Sequence, residues 1–218
     1  MKLSVIIPVL NEAGQLPAAL QPLQAMRGRG HEVILVDGGS EDEGVELARP
    51  YVDKLVISKR GRAVQMNAGA AVAGGDVLLF LHVDTRLGEG VEQAVSGAVW
   101  GFFRIRLSGG HYLFRLIETG MNWRSRWSSV ATGDQCLFVR REQFEAMQGF
   151  APIPLMEDVE MCKRLRRVAA PVIIRQQVVT SSRRWEQQGI VRTILKMWWL
   201  RLAWFCGRDP ARLARQYE

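Results

Sequence analysis

Leu78-Leu79-Phe80-Leu81 is an unbroken apolar run, and it gives way at once to His82-Val83-Asp84-Thr85. A strand covered on both faces reads this way, without alternation, and such strands belong to parallel sheets sandwiched between helices. The polar end of the run matters as much as its apolar body. In open α/β sheets the ligand crevice lies outside the carboxyl ends of the strands. An imidazole and a carboxylate at that end point to a divalent cation held by Asp84 beneath a diphosphate. The plain alternative is that Asp84 caps the next turn, a common place for Asp.

The residues before this run repeat its logic. Leu3–Pro8 reads as a first buried strand that Pro8 can end. Val9–Glu12 follows as a loop, and Ala13–Met26 carries Leu16, Ala19, Leu20 and Leu23 at helical spacing, with Gly28 and Gly30 closing the helix. Glu32–Val36 is a second apolar run that ends in Asp37-Gly38-Gly39-Ser40, where Ser40 suits the N-cap of the next helix. An acid in the position of Asp37 can accept hydrogen bonds from a ribose or a base edge, or it can simply cap a turn. Leu55–Ile57 is a short third strand. Lys59-Arg60-Gly61-Arg62 then opens a helix with three cations around it, which favours phosphate or is a solvated basic loop. The order β-α-β-α-β-α-β predicts a parallel sheet with helices on both faces. There is no GxGxxG after the first strand and no GxxxxGK[ST], which argues against the common dinucleotide and P-loop folds.

The second half is less regular. Gly101–Leu107 and Cys136–Val139 read as strands, Gly110–Arg126 as a mixed aromatic and basic stretch of helix and loop, and Arg141–Met147 as a helix. Ala151–Met156 is a loop that delivers Glu157-Asp158 to the start of a helix over Val159–Val168, where acids are also natural caps. Val172–Thr180 is extended and leads to Ser181-Ser182-Arg183-Arg184-Trp185.

Net charge is +7 over 218 residues, and Arg183–Glu218 holds eight Lys and Arg against three Asp and Glu. That balance suits an anionic partner: nucleic acid, a phosphorylated ligand or an acidic membrane. Cys136, Cys162 and Cys206 are odd in number and far apart, so neither a zinc knuckle nor a disulfide framework is indicated, and a reducing, cytoplasmic setting is expected. The apolar start is too short and too soon interrupted for a signal peptide, and no stretch is long and charge-free enough to span a membrane.

Taken together, Val5-Ile6-Ile7-Pro8-Val9-Leu10-Asn11-Glu12, Val36-Asp37-Gly38-Gly39-Ser40, Gly61…Asn67-Ala68-Gly69, His82-Val83-Asp84 and Glu157-Asp158 resemble, in this order, glycosyltransferase family 2. The resemblance covers roughly residues 3–185. It implies a GT-A fold, a Rossmann-like, mostly parallel sheet flanked by helices. It also implies a nucleotide-sugar donor (a UDP-sugar first, a GDP-sugar second), a divalent cation (Mg²⁺ or Mn²⁺) and an inverting mechanism. By the same resemblance Pro8, Asn11 and Glu12 border the nucleoside, Asp37 meets the base, and Gly61, Arg62 and Asn67 lie on the nucleotide side. Asp84 ligates the metal as the second acid of a DxD motif, and Asp158 is the catalytic base. The first acid of that motif is His82 here, and Mg²⁺ prefers oxygen ligands, so His82 can face the metal, water or substrate. Arg183 and Arg184 stand where processive members carry QxxRW. The long membrane spans of those members are absent, so transfer of a single sugar is expected.

The expected organisation is therefore a GT-A domain over 1–185, with a nucleotide half over about 1–90 and an acceptor half over about 91–185. An apolar and basic helical tail over 186–218 completes it. The tail contains Trp198, Trp199, Leu200, Leu202, Trp204 and Phe205, with Arg192, Lys196, Arg201 and Arg208 among them. It suits an anionic membrane surface serving a lipid-linked acceptor, a second subunit, or burial in its own domain. Rival readings are a metal-dependent nucleotidyltransferase, whose Gly-rich basic loop after the first strand is lacking, and a non-catalytic nucleotide-binding protein at the membrane. Binding of single-stranded nucleic acid ranks last, since no recognised module is present.

Overall fold

The computed structural model describes residues 1–217. Among these, eight strands form one sheet: β1 (Leu3–Val9), β2 (Glu32–Asp37), β3 (Lys54–Ile57), β4 (Val77–Phe80), β5 (Thr85–Arg86), β6 (Trp100–Leu107), β7 (Phe138–Arg140) and β8 (Val172–Thr180). Their spatial order is β3-β2-β1-β4-β7-β6-β8-β5. The β3-β2-β1-β4 half is parallel throughout. Beyond β4 the sheet is mixed, with β6 and β8 parallel and the β4–β7, β7–β6 and β8–β5 pairs antiparallel. The expected mostly parallel α/β sheet is what the chain forms.

Successive strand residues face opposite sides, and here both sides are dry. Ile6, Ile34, Val36, Leu78 and Phe80 pack in one cluster with Ala63, Met66 and Ala70 of the helix Arg62–Val72 and with Val159 and Cys162 of the helix Glu157–Leu165. Val5, Ile7, Val33, Leu35 and Leu79 pack on the other side with Leu16, Leu20, Leu23 and Met26. Two covered faces explain the unbroken apolar runs. The helix Arg62–Val72 comes so close to β1 and β2 that a Cβ on Gly69 would lie 2.5 Å from Ile6 Cγ2 and 2.8 Å from Val36 Cγ2.

Three local expectations are corrected. The helix expected over Ala13–Met26 is broken into Leu16–Leu20, a 3-10 turn Gln21–Leu23 and Gln24–Gly28. Pro22 has no N–H to give an α-helix, and a tight turn absorbs it. Pro8 does not end β1, which runs on to Val9. Pairing with β4 stops at Ile6, so Pro8 has a strand partner only in β2, an edge-like place where its missing N–H is tolerated. Ser40 is not an N-cap: the next helix, Gly44–Ala48, begins beyond it.

The tail forms the helices Arg183–Gln188, Ile190–Phe205 and Pro210–Tyr217, the first of which runs across residue 185. Leu200, Ala203 and Leu213 join the cluster that holds Val159 and Met161. The Lys163 ammonium lies over the rings of Trp204 and Phe205, 4.1 and 4.3 Å from their centroids, and ties the tail to the helix Glu157–Leu165. One face of the long tail helix is bare. Val191, Leu195, Trp198, Leu202 and Phe205 are all exposed, within an arc of about 80° at 100° per residue. Among the described residues no helix is long and apolar enough to cross a membrane.

Candidate active site

The carboxyl ends of β1, β2 and β4 set out the first part of the site. Asp37 ends β2, and its side chain is buried. Its carboxylate accepts the N–H groups of Gly39 (2.9 Å) and Ser40 (3.0 Å) and the Ser40 hydroxyl. Ser40 in turn accepts the Asn11 N–H at 2.8 Å, and Asn11 Oδ1 accepts the Glu41 N–H at 2.8 Å. Asn11 sits at φ 55°, a conformation Asn adopts more readily than most residues. These bonds lock the loops after β1 and β2 into one wall. Gln65 fastens the same wall from below, donating from Nε2 to the carbonyls of Val9 (2.7 Å) and Val36 (3.0 Å). Glu12 holds its own loop through Gln15, and Pro8 is half-buried beneath it.

Gly61, at φ 137°, opens the helix Arg62–Val72. The Arg62 guanidinium reaches to 3.9 Å from the buried Glu157 carboxylate. Asn67 is engaged otherwise than its expected nucleotide-side position suggests. Its amide oxygen accepts the Phe150 N–H and its nitrogen donates to the Phe150 carbonyl, both at 2.9 Å, so it pins the loop that leads to Glu157 and Asp158.

His82 and Asp84 follow β4, as the apolar run predicts. Asp134, in the short turn Gly133–Gln135, stands opposite them, with its Oδ1 3.5 Å from His82 Nδ1. Gly133 lets the two loops meet, because a Cβ there would collide with the His82 ring. Desolvation works against the Asp134 carboxylate, but His82, and after it Arg62 and Arg184, hold it below the usual range. His82, Asp84 and Asp134 each offer a ligand atom within 4.8 Å of the others. One imidazole nitrogen and two carboxylates form a donor set that fits a divalent cation.

Asp158 closes the site from the helix Glu157–Leu165. Its Oδ2 accepts the Gly133 N–H and its Oδ1 the Val159 N–H, each at 2.7 Å. Burial, and then the charge of Glu157, push its carboxyl up to about 6, with the two N–H groups and Arg62 pulling the other way. His82, Gly133, Glu157 and Asp158 share one cleft, floored by Met66, Phe80, Leu137 and Phe150. The Ser181 N–H donates to the Asp84 carbonyl at 3.0 Å, and Thr85 and Thr180 join their hydroxyls at 3.0 Å. This clasp brings the start of the helix Arg183–Gln188 to the loop of His82 and Asp84, and Arg184 lies within electrostatic reach of Asp134. Arg183 is fixed through its main chain, its N–H donating to Ser181 Oγ at 3.2 Å.

Residues 4–95 match the sequence profile of glycosyl transferase family 2. That segment is similar to glycosyl transferase family 2. The chain is 33% identical over 147 residues to a PGL/p-HBAD biosynthesis glycosyltransferase of Mycobacterium bovis, across 63% of this chain and 54% of that one. It is also 33% identical over 111 residues to an undecaprenyl-phosphate 4-deoxy-4-formamido-L-arabinose transferase of Aeromonas hydrophila, across 45% of this chain and 34% of the relative. The chain thus spans about half the length of the mycobacterial relative and a third of the other. Among solved structures, a mannosyltransferase from Pyrobaculum calidifontis in complex with GDP-Man and Mn²⁺ superposes with a TM-score of 0.63 at 18% identity, over 82% of this chain and 56% of that one. S. aureus TarS, residues 1–349 in complex with UDP-GlcNAc, gives 0.64 at 17%, over 83% and 58%. At such identities the likeness concerns the fold, which is GT-A.

Three residues of the site lie beyond the sequence reading. Gln65 looks like any polar residue of an amphipathic helix, and only the strand ends above it give its amide a task. Asp134 lies in a Thr-Gly-Asp-Gln turn with no periodicity, 50 residues from Asp84, and the β4–β7 pairing brings the two together. Arg124, on the helix Tyr112–Ser128, is largely desolvated, which lowers its basicity, while Asp158 and Asp134 raise it. The basic and aromatic character of Gly110–Arg126 was the one available signal for it.

Proposed function

We propose that this chain is an inverting, cation-dependent glycosyltransferase that moves one sugar from a nucleotide-sugar donor to an acceptor presented at a membrane surface. The observation that carries the reading is the junction of Asp158 with the Gly133-Asp134 turn, which itself meets His82 beside Asp84. A carboxylate able to accept a proton and a group able to hold a cation, both at one cleft, support displacement at a sugar carbon. A bound divalent cation supplies electrostatic stabilisation to the departing diphosphate. Asp84 holds the cation, Arg184 and Arg62 add positive charge on the diphosphate side, and Asp37 with the Asn11 wall receives the nucleoside. Asp158 takes the acceptor hydroxyl's proton. A UDP-sugar is the first donor to try and a GDP-sugar the second. Release of UDP or GDP from such donors, followed with Mn²⁺, Mg²⁺ or EDTA, tests the proposal. Cation-dependent release that Asp84→Asn abolishes supports it, and release unaffected by either change contradicts it.

The exposed apolar faces support the membrane part. Besides the tail helix, the helix Tyr112–Ser128 exposes Tyr112, Leu116, Trp123 and Trp127 within about 60° of arc, and Trp123 and Trp127 stack. The two helices approach each other where His111, Phe114, Trp185 and Ile190 line a groove of about 430 Å³. Exposed Trp with exposed Arg126, Arg192, Arg208, Arg212 and Arg215 suits the interface of an anionic bilayer, at the inner face of the cell membrane. Co-sedimentation with phosphatidylglycerol vesicles tests this. Binding lost in Trp198→Glu and Leu202→Glu supports it. A dimer abolished by the same changes, with no vesicle binding in wild type, assigns the face to a second copy.

A further inference from the structure

Resting on that reading of Asp84, we infer that His82 and Asp134 complete the cation site and make it select Mn²⁺ over Mg²⁺. Three observations lead there. His82 is closely held: its side chain is 11% exposed, against 42% for Asp134, and its ring lies against Gly133. An imidazole so held cannot swing out and leave the site to oxygen ligands alone. Asp134 brings one carboxylate oxygen to 3.5 Å from His82 Nδ1 and leaves the side chain 42% exposed, within reach of an entering ion. Lastly, the Gly133 N–H is fixed by Asp158, so the position of Asp134 is set by the same hydrogen bond that orients the base.

The chemistry of the set follows from its atoms. Mg²⁺ demands near-ideal oxygen coordination and gives up water reluctantly. Replacing one carboxylate by an imidazole lowers the ligand charge and introduces nitrogen, which suits first-row transition ions better than Mg²⁺. Ligand atoms within 4.8 Å of one another need only modest side-chain rotation to share an ion about 2.1 Å from each. The Arg62 and Arg184 charges next to Asp134 disfavour a cation bound alone, so tight binding is expected with the nucleoside diphosphate present.

The test is Mn²⁺ and Mg²⁺ affinity measured by calorimetry with UDP or GDP present, in wild type, Asp84→Asn, Asp134→Asn and His82→Asp, with melting curves to verify folding. Asp134→Asn should weaken Mn²⁺ binding at least about tenfold, and His82→Asp should lower the Mn²⁺-to-Mg²⁺ affinity ratio by a similar factor. Electron spin echo spectroscopy of Mn²⁺ bound to wild type adds a readout that needs no variant, and it should show nitrogen modulation from one imidazole. If Asp84→Asn abolishes binding while the other two variants match wild type and no nitrogen modulation is seen, Asp84 keeps its role and this inference fails. If Asp84→Asn binds the cation as wild type does, the underlying cation reading fails with it.

Discussion

Asp158 accepts the main-chain N–H of Gly133 at 2.7 Å, and the next residue along is Asp134, which faces His82. The expected base and the Gly133–Gln135 turn are thus one hydrogen-bonded unit, although they stand 25 residues apart in the sequence. A change at either end is transmitted to the other through a single peptide group.

The first prediction separates charge from geometry at this link. Asp158→Asn keeps an oxygen that can accept the Gly133 N–H, so nucleotide and cation binding should stay within about twofold of wild type. Turnover should drop by about 10²–10⁴, the usual contribution of a general base. Steady-state kinetics with a competent acceptor, alongside nucleotide calorimetry, would check this. An active Asp158→Asn enzyme would move the base elsewhere, with Glu157 the next candidate.

The pH profile follows from the same carboxyl. Burial and Glu157 push Asp158 up to about 6, and a base must be unprotonated to act. The rate should therefore rise with pH through about 6 and level off above it. For stability the sign is opposite. The folded state binds this proton more tightly than the unfolded chain, so the contribution of Asp158 is most favourable below about pH 4 and is lost as pH rises through about 6. Melting temperatures from pH 4 to 8 should show Asp158→Asn gaining on wild type as pH increases. Parallel curves would contradict the buried-charge account.

Gly69 is expected to tolerate nothing larger. A Cβ there meets Ile6 and Val36 side chains from both strands that the helix Arg62–Val72 crosses. Gly69→Ala gains helix propensity but should still lose about 1–3 kcal/mol to overpacking. Urea titration would show the midpoint falling, and a rise would mean that the helix can lift off the sheet.

Glu32 anchors the opposite end of the sheet. Burial alone would raise its carboxyl, but the Ser4 hydroxyl, the Gly74 N–H and the Lys54 ammonium overcome this and bring it to about 2. A depressed folded value gives stability that is fully present above about pH 4.5 and lost as pH falls toward 2. Glu32→Ala strands these partners and should destabilise the protein by about 1–3 kcal/mol at pH 7. A loss that does not shrink between pH 5 and pH 3 would refute the charged-anchor explanation.

Much of this was legible in the residues because burial on both sheet faces leaves an unmistakable mark. The runs of β1, β2 and β4, and the acids and loops at their ends, could be read directly. So could a helix after the two-proline loop, read over Val159–Val168 and found over Glu157–Leu165. What stayed hidden depends on contacts made across the chain. Ser40 looks like a helix cap until the Asn11 loop claims it, and Asn67 looks nucleotide-facing until Phe150 takes its amide. Asp134 carries no periodicity at all and joins His82 only because β7 pairs with β4. The tail was ambiguous for a related reason. Its composition suits burial, and only the packing of Leu200 and Ala203 shows which face remains bare.

The central claim is that a nucleotide-sugar diphosphate and a divalent cation bind as one unit at Asp84. Thermal shift with a panel of UDP- and GDP-sugars, each in Mn²⁺, Mg²⁺ or EDTA, tests it most directly on wild type and Asp84→Ala. The account predicts a rise in melting temperature for at least one nucleotide sugar that requires the cation and disappears in Asp84→Ala. An equal rise in EDTA, or in the variant, would contradict it.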